Sequence, residues 1–288
     1  MKNLQIGGVL RVLMTGMFLS LAITGCSTPI TLPSTLTSPS PTAAPTSAHP
    51  APEVLQTEIP TKVPLPATAT ETICGESEGN IVQLEIEHPL LPRTLPFRVY
   101  LPPCYDEQPD KDYPVLYLLH GLQGTDAQWD ELGIDEAAST LIGSGTLPPF
   151  LIIMPWHRTG IEVENAVIDV LVPHIDEAYR TRPESEWRAI GGISRGAGQA
   201  LWITLNHPDM FSILGLHSPA TLHAEGLLLQ WLLAIPIDER PDVWIDIGDL
   251  DSLLPSTREL ISLFSQNDWD AIVQINPGDH TSDYWSAH

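Results

Sequence analysis

Short apolar runs recur along the chain, and they limit the possible folds more than any other feature. The clearest covers residues 114–119 (PVLYLL), in which every side chain is apolar or aromatic. Strands buried on both faces of a parallel sheet have this composition. Comparable runs follow at 149–154, 188–193, 211–216, 243–247 and 271–275.

Longer segments with a helical pattern separate these runs. In 163–179 the apolar residues recur at the spacing of one helix face. The predicted helices cover 130–142, 162–180, 195–206, 222–235 and 254–267. Two earlier segments, 80–87 and 96–101, alternate like half-buried strands. We therefore predict an α/β fold with a mostly parallel sheet of about eight strands, helices on both faces and an antiparallel first pair.

Residues 1–26 have the features of an export signal. Their apolar run, from Val9 to Ile23, is about 15 residues long, shorter than the roughly 20 that a membrane-spanning helix needs. It ends at Cys26 in the sequence Ile-Thr-Gly-Cys, which is similar to the lipobox of bacterial lipoproteins. This predicts cleavage before Cys26, lipidation of its sulfur, and an exported cell-envelope protein held to the membrane by the lipid alone. The alternatives are an ordinary signal peptide and an uncleaved anchor.

Residues 27–72 differ in composition from the rest of the chain. Ser, Thr and Pro make up 26 of these 46 residues. Such a segment buries too little apolar surface to offset its chain entropy, so it predicts a disordered or polyproline-like tether. An extended tether of this length would reach on the order of 140 Å at about 3.1 Å per residue.

Residues 73–288 have the length of one domain. They carry nearly all of the formal net charge of −23. So acidic a surface argues against nucleic acid, anionic membrane surfaces and polyanions as partners. Two cysteines, Cys74 and Cys104, remain once Cys26 is lipidated, and an even pair in an exported protein predicts a disulfide. The alternative is two free thiols.

The sequence Gly192-Ile-Ser-Arg-Gly196 has the G-x-S-x-G pattern. It follows a predicted strand and opens the predicted helix 195–206, which is the context of a nucleophile elbow. The tight turn needs both glycines and leaves the hydroxyl of Ser194 at its tip, above a helix N-terminus. Ser194 is therefore the predicted nucleophile.

A serine hydroxyl needs a base to take its proton and an acid to orient that base. His280 follows the last predicted strand, and Asp249 and Asp251 follow the strand before it. Open α/β sheets place their sites at such carboxyl ends. We predict His280 as the base and Asp251 as the acid, with Asp249 as the alternative; Asp246, inside its strand, is expected to be structural.

A tetrahedral intermediate needs backbone donors for its oxyanion. The N–H of Arg195 directly follows the nucleophile, and the N–H of Leu122 lies in the loop after residues 114–119. Nearby residues of that loop, His120 and Gly121, and the aromatic Trp129 are the predicted substrate-binding residues, with core packing as the alternative for Trp129. Further pocket candidates, each with core packing as an alternative, are His157, His217, His223, Trp156 and Trp231.

These motifs together are similar to those of one family. Residues 81–288 resemble the esterase group of the α/β-hydrolases, which includes esterase D, feruloyl esterases, enterochelin esterases and the antigen 85 mycolyltransferases. Beside the elbow, the resemblance is carried by four segments, Val99–Pro103, Tyr113–Gly121, Gly248–Asp251 and His280 with Asp283-Tyr-Trp285.

The resemblance implies a triad of Ser194, Asp251 and His280, oxyanion amides at Leu122 and Arg195, and no metal or organic cofactor. It implies hydrolysis of a carboxylic ester of a small molecule or carbohydrate, acylated or feruloylated, and the export signal predicts that this takes place outside the cytoplasm. The alternative is acyl transfer to a sugar or lipid acceptor. This sequence departs from the family pattern at Cys104, where glycine is usual, and at Arg195, where methionine is common.

Overall fold

The computed structural model describes residues 75–221 and 225–288. At its centre lies an eight-stranded sheet in the order β1-β2-β4-β3-β5-β6-β7-β8. β2 runs antiparallel to both of its neighbours, and all other pairs are parallel. The strands are β1 (Asn80–Ile86), β2 (Leu95–Leu101), β3 (Val115–Leu119), β4 (Leu151–Pro155), β5 (Arg188–Ile193), β6 (Ile213–His217), β7 (Asp242–Gly248) and β8 (Ala271–Asn276).

The apolar runs form the interior strands because both faces of those strands are covered. All five residues of β3 are buried, as are all of β4, β5 and β6. Side chains of one strand alternate between two cores: Val115, Tyr117 and Leu119 join one, and Leu116 and Leu118 join the other. The edge strand β8 is partly buried instead, with Ile272 and Ile275 exposed.

Helices cover both faces of the sheet. α1 (Gln128–Glu131) and α2 (Ile134–Gly143) pack on the core that contains Leu116. Most of the others pack on the opposite core. These are α3 (Val163–Asn165), which continues through a π-helical turn (Ala166–Leu171) into α4 (Val172–Ala178), then α5 (Arg195–Asn206), α6 (Glu225–Ala234) and α7 (Leu254–Gln266). The last helix, α8 (Ser282–Ala287), places Trp285 against the core that contains Leu116.

The predicted fold class is confirmed, including the eight strands and the antiparallel first pair. The helix predicted over 130–142 is present from Ile134 onwards, but its start differs, because the chain breaks between α1 and α2 at Gly133, which adopts φ 87°. The helix predicted over 162–180 is continuous from Val163 to Ala178 but widened at its centre. Pro173 lies just beyond the widened turn, where its ring would clash with a carbonyl four residues earlier.

The strand order brings the predicted site residues to one edge of the sheet. β3 has β4 on one side and β5 on the other, so the chain adds its next strand on one side of β3 and the following strands on the other side. Ligand sites of open α/β sheets lie at the carboxyl ends of the strands near such a reversal. The loop after β3, the turn after β5 and the loops after β7 and β8 all open at this edge.

Several predictions concern residues outside the described ranges. They are the signal and tether of residues 1–72, lipidation of Cys26, and the pairing of Cys74 with Cys104; His223 as a pocket residue lies outside as well. Within residues 75–221 and 225–288, none of the helices combines the length and the apolar composition needed to cross a membrane.

Candidate active site

Ser194 occupies a sharp turn between β5 and α5. Its backbone adopts φ 55° and ψ −115°, a conformation that non-glycine residues rarely take, and α5 begins at the next residue. The two flanking glycines are required by close approach. A Cβ at Gly196 would overlap the carbonyl oxygen of Leu119, and one at Gly192 would overlap the backbone of Gly196. The turn therefore has the geometry of the nucleophile elbow that the sequence predicts.

The imidazole of His280 lies between a hydroxyl and a carboxylate. Its Nε2 is 2.9 Å from Oγ of Ser194, and its Nδ1 is 2.8 Å from Oδ2 of Asp251. Because a carboxylate only accepts hydrogen bonds, Nδ1 carries the proton and Nε2 is free to accept one from the serine. Residues far apart in the chain are thus brought together in the order hydroxyl, imidazole, carboxylate, which is the arrangement used for general-base activation of a hydroxyl.

The two candidate acids have different partners. Asp251 is 4 % exposed, and its second oxygen, Oδ1, accepts a hydrogen bond from the N–H of Leu253 at 2.8 Å. Asp249 instead accepts a hydrogen bond from the N–H of Gly278 at 3.0 Å and so links the loops that follow β7 and β8. The contact with His280 is made by Asp251, and Asp249 supports the loop that carries the histidine.

Asp246 lies fully buried in β7, beneath this loop. Oδ1 contacts Nδ1 of His217 at 2.7 Å, and Oδ2 accepts hydrogen bonds from Asn276 at 2.8 Å and from the hydroxyl of Tyr284 at 2.9 Å. Burial raises the pKa of Tyr284, with the carboxylate of Asp246 adding to the effect, so the phenol stays protonated and donates. This network ties β7 to β8 and α8, and it accounts for His217 as a core residue.

A cleft of about 750 Å³ opens above Ser194 and His280. Trp285 of α8 forms part of its wall, with its ring edge-on to the ring of His280 at 4.9 Å between centroids. Its indole N–H donates to Oγ of Ser218 at 3.1 Å, which fixes the ring. The sequence patterns do not identify Trp285 as a cleft residue, because α8 is only six residues long and too short to show a helical periodicity.

The loop after β3 forms another wall of the cleft. Gly121, Leu122 and Gly124 line it, and Leu122 is 68 % exposed. The N–H of Gly121 donates to Oε1 of Gln128 at 2.7 Å, which holds the loop to α1. Of the two predicted oxyanion residues, Leu122 lies in this loop and Arg195 is the first residue of α5.

Two of the predicted substrate-binding residues do not line the cleft. Trp129 is 5 % exposed, and its indole N–H donates to the carbonyl of Leu119 at 3.2 Å, so it packs in the core. His120 is 2 % exposed, and its ring stacks on that of His157 at 3.8 Å between centroids. Trp129 is held in the core by this hydrogen bond, and His120 by its stacking on His157. Only Gly121 of the predicted three reaches the cleft.

The remaining aromatic candidates lie away from His280. Trp156 stacks beneath the guanidinium of Arg158 at 4.8 Å. Trp231 packs edge-on against Trp202 at 4.4 Å and, with α5, lines a second cavity of about 360 Å³. Neither ring borders the cleft above Ser194, so the aromatic wall there is supplied by Trp285.

Comparison with known proteins places the chain in a family. The family model described as "Putative esterase" matches residues 89–288. Over 167 residues the chain is 31 % identical to the endo-1,4-beta-xylanase/feruloyl esterase of Xylanibacter ruminicola, covering 52 % of this chain and 23 % of that protein. The chain thus spans less than a third of the length of the curated relatives it matches.

Solved structures share the fold. A ferulic acid esterase superposes with a TM-score of 0.66 at 23 % identity, covering 73 % of this chain and 95 % of that one. An S-formylglutathione hydrolase from Staphylococcus aureus superposes with a TM-score of 0.61 at 19 % identity, covering 72 % and 94 %. The family model matches most of the folded residues, and the sheet order and the elbow at its centre agree with that match. The chain belongs to this esterase family of the α/β-hydrolase fold.

Proposed function

We propose that this protein is a serine esterase that cleaves a carboxylic ester with Ser194 as nucleophile, His280 as base and Asp251 as the acid that orients it. The observation that carries the proposal is the position of His280, within hydrogen-bonding distance of both Ser194 and Asp251. The membership of the chain in the esterase family supports the reaction class.

The proton route follows from the donor positions. Nε2 of His280 accepts the hydroxyl proton as Oγ of Ser194 attacks the ester carbonyl carbon, and the imidazolium that forms is stabilised by Asp251 through Nδ1–H. The same imidazolium then donates its Nε2 proton to the leaving alkoxide. The alcohol departs, and an acyl group remains on Ser194. A water molecule activated by His280 attacks this ester in turn and releases the acid.

Each attack passes through a tetrahedral intermediate with a negative oxygen. The main-chain N–H of Leu122 and that of Arg195 are the proposed donors to this oxygen. Arg195 is the first residue of α5, so its N–H has no carbonyl partner within the helix and is available to a ligand. The positive end of the helix dipole favours negative charge at the same place.

The proposed substrate is an acylated carbohydrate, with a feruloylated sugar as the first example to test. A similar protein is named for both xylanase and feruloyl esterase activity, and a structural neighbour is a ferulic acid esterase. The cleft is large enough for an aryl ester and has an aromatic side chain, Trp285, in its wall. Nothing among the described residues favours acyl transfer over hydrolysis.

We further propose that the enzyme acts outside the cytoplasm, held to the membrane by a lipid on Cys26. The support is the lipobox-like sequence that ends at this residue and the Thr/Pro-rich segment that follows it. The tether would let the catalytic domain reach polymeric substrates away from the membrane surface.

The test is turnover by pure wild-type protein and by Ser194→Ala on p-nitrophenyl esters, acetylated xylan and methyl ferulate. Wild type should hydrolyse at least one of them, and Ser194→Ala should lower kcat by about 10⁴-fold or more while it keeps the fold. A fluorophosphonate probe should label Ser194 alone. Near-wild-type turnover by Ser194→Ala would remove the mechanism, whereas activity limited to acetylated xylan would redirect the substrate assignment to short acyl groups.

A further inference from the structure

The carbonyl oxygen of Gly121 accepts an unusual number of hydrogen bonds. Nδ1 of His120 lies 2.6 Å from it, the N–H of Gly124 lies 3.2 Å from it, and Nη2 of Arg195 lies 3.4 Å from it. A carbonyl oxygen has two lone pairs, so three donors occupy all of its capacity to accept hydrogen bonds. The orientation of this one peptide group is therefore fixed from several directions.

That peptide group also contains the N–H of Leu122. The peptide bond is planar and trans, so the C=O of Gly121 and the N–H of Leu122 point in opposite directions. Donors that hold the carbonyl oxygen of Gly121 therefore also fix the direction of the Leu122 N–H. They also polarise the peptide group, because hydrogen bonds in a chain strengthen one another, and this makes the N–H a better donor.

The side chain of Arg195 reaches this carbonyl because His157 holds it there. The same terminal nitrogen, Nη2, lies 3.1 Å from Nε2 of His157. A guanidinium only donates, so Nε2 of His157 accepts and its proton sits on Nδ1. His120 also carries its proton on Nδ1, since a carbonyl is its partner. The ring of His157 is thus neutral, and its face-to-face stacking on His120 beside a cation favours a neutral His120 as well.

Burial favours the same charge state. It lowers the pKa of His120 to about 4 and that of His157 to about 2, with the neighbouring Arg195 adding to both effects. Neutral imidazoles at neutral pH leave Nε2 of His157 as an acceptor for the guanidinium. The contact between Arg195 and His157 is therefore stable over the range in which the proposed triad works.

We propose that the Arg195 side chain, held by His157, is a positioning residue that orients the Gly121–Leu122 peptide so that the Leu122 N–H can bind the oxyanion. Arg195 would then contribute to both donors of the oxyanion hole. Its own main-chain N–H is one donor, and its side chain orients the peptide that carries the other, the N–H of Leu122. The inference rests on the proposed esterase function. It assigns a role to the arginine that stands where the family commonly has methionine.

Arg195→Met is the direct test, because it keeps the main-chain N–H and removes only the guanidinium. Loss of one oxyanion donor costs about 10²- to 10³-fold in kcat, and a misaligned donor should cost part of that, about 10- to 100-fold. KM should change by less than about threefold, because the oxyanion exists only in the transition state. The inhibition constant of phenylboronic acid, which forms a tetrahedral adduct with a serine, should rise in parallel with the fall in kcat.

Three further variants separate positioning from general structural damage. Arg195→Lys places an ammonium that can donate to both Gly121 and His157, so it should restore kcat to within a few-fold of wild type. His157→Phe keeps an aromatic ring but removes the acceptor, and it should lower kcat about tenfold at unchanged KM. In the Arg195→Met background the same change should have little further effect. Arg258→Met, at an exposed position of α7, should match wild type.

Two results would overturn the proposal. One is a kcat for Arg195→Met within twofold of wild type, and the other is a raised KM at unchanged kcat, which would make Arg195 a substrate-binding residue. If Arg195→Met does not fold, His157→Phe carries the test, and a wild-type kcat for it would reject the idea. Failure of the esterase function itself would show separately, as a wild-type protein that hydrolyses none of the esters.

Discussion

Ser194 is held in a backbone conformation that a serine adopts only under constraint. Such conformations cost on the order of 1–3 kcal/mol and persist where the surrounding structure enforces them. Here the enforcement comes from β5 on one side and α5 on the other, with Gly192 and Gly196 allowing the two to approach. The strain at Ser194 is thus the local cost of placing its hydroxyl at the tip of the turn, beside His280.

The choice between Asp251 and Asp249 leads to a prediction at the scale of one residue. Asp251→Asn should lower kcat by up to about 10⁴-fold, because the imidazole of His280 loses the carboxylate that sets its tautomer. Asp249→Asn should cost far less, since its oxygen accepts from the Gly278 N–H and an asparagine oxygen can do the same. Steady-state kinetics on p-nitrophenyl acetate compares the two variants. If Asp249→Asn were the inactive one, the acid would be reassigned.

The buried imidazoles of His120 and His157 predict how stability depends on pH. An exposed histidine in the unfolded chain titrates near 6.5, whereas burial lowers the folded pKa values to about 4 and about 2. The folded state therefore binds fewer protons than the unfolded state below pH 6.5. The contribution of the two neutral histidines to the free energy of unfolding is fully present above that pH. It falls as the pH drops, by up to about 1.4 kcal/mol per pH unit for each histidine.

Urea unfolding of wild type and of His157→Phe between pH 7 and pH 5 measures this contribution. The variant should lose less stability over the interval, because one of the two titrating groups is gone. His88→Phe, at an exposed position, should keep the wild-type pH dependence. An unchanged slope in His157→Phe would show that its imidazole is not buried in the neutral form.

At the scale of elements, the interior strands were predictable and the short helices were not. β3 to β7 are buried on both faces, so their apolar runs stand out in the sequence. The break at Gly133 comes from a single backbone conformation, and α8 has only six residues, so periodicity records neither. The same holds for the inward direction of Trp129 and His120: their residue types suit a cleft wall as well as a core, and only the packing distinguishes the two.

The packing of α5 against the β6 side of the sheet gives a prediction about one glycine. A Cβ at Gly198 would overlap the carbonyl oxygen of Ala220, which is backbone and cannot swing aside. The Ala220 N–H also donates to the carbonyl of Ser194 at 3.0 Å, so any shift would be felt at the elbow. Gly198→Ala should therefore destabilise the protein by about 1–3 kcal/mol or more and lower kcat.

Gly143→Ala is the matched control for this change. Its Cβ would meet nothing within 4 Å at the end of α2, and the substitution should be neutral or stabilise the protein by about 0.4–1 kcal/mol. Thermal and urea unfolding of the two variants compare them directly. Equal stabilities for Gly198→Ala and Gly143→Ala would mean that α5 does not pack as closely on this loop as described.

At the scale of the whole molecule, the predicted disulfide would fasten the start of the folded part to the end of β2. Cys104 adopts φ 66°, which suits the glycine usual in the family, and its N–H donates to the carboxylate of Glu76 at 2.9 Å. Residue 76 is only two positions from Cys74. We predict that peptide mapping without reductant links the two cysteines, and that Cys74→Ser lowers the unfolding free energy by about 3 kcal/mol for a closed loop of about 30 residues. Two free thiols in the exported protein would contradict this.

The acidic charge and the predicted lipid anchor together would determine where the enzyme can act. A net charge of −23 keeps the catalytic domain away from anionic membrane surfaces, while a lipid on Cys26 would hold the chain to the membrane through a long tether. We expect the full chain, expressed in a bacterial host, to fractionate with membranes and to release active esterase when protease cuts within 27–72. Cys26→Ser should accumulate as unprocessed precursor with the same kcat once purified, because the change lies outside the catalytic domain. A mature wild-type protein whose Cys26 carries no lipid by mass spectrometry would refute the anchor and leave the proposed esterase chemistry unaffected.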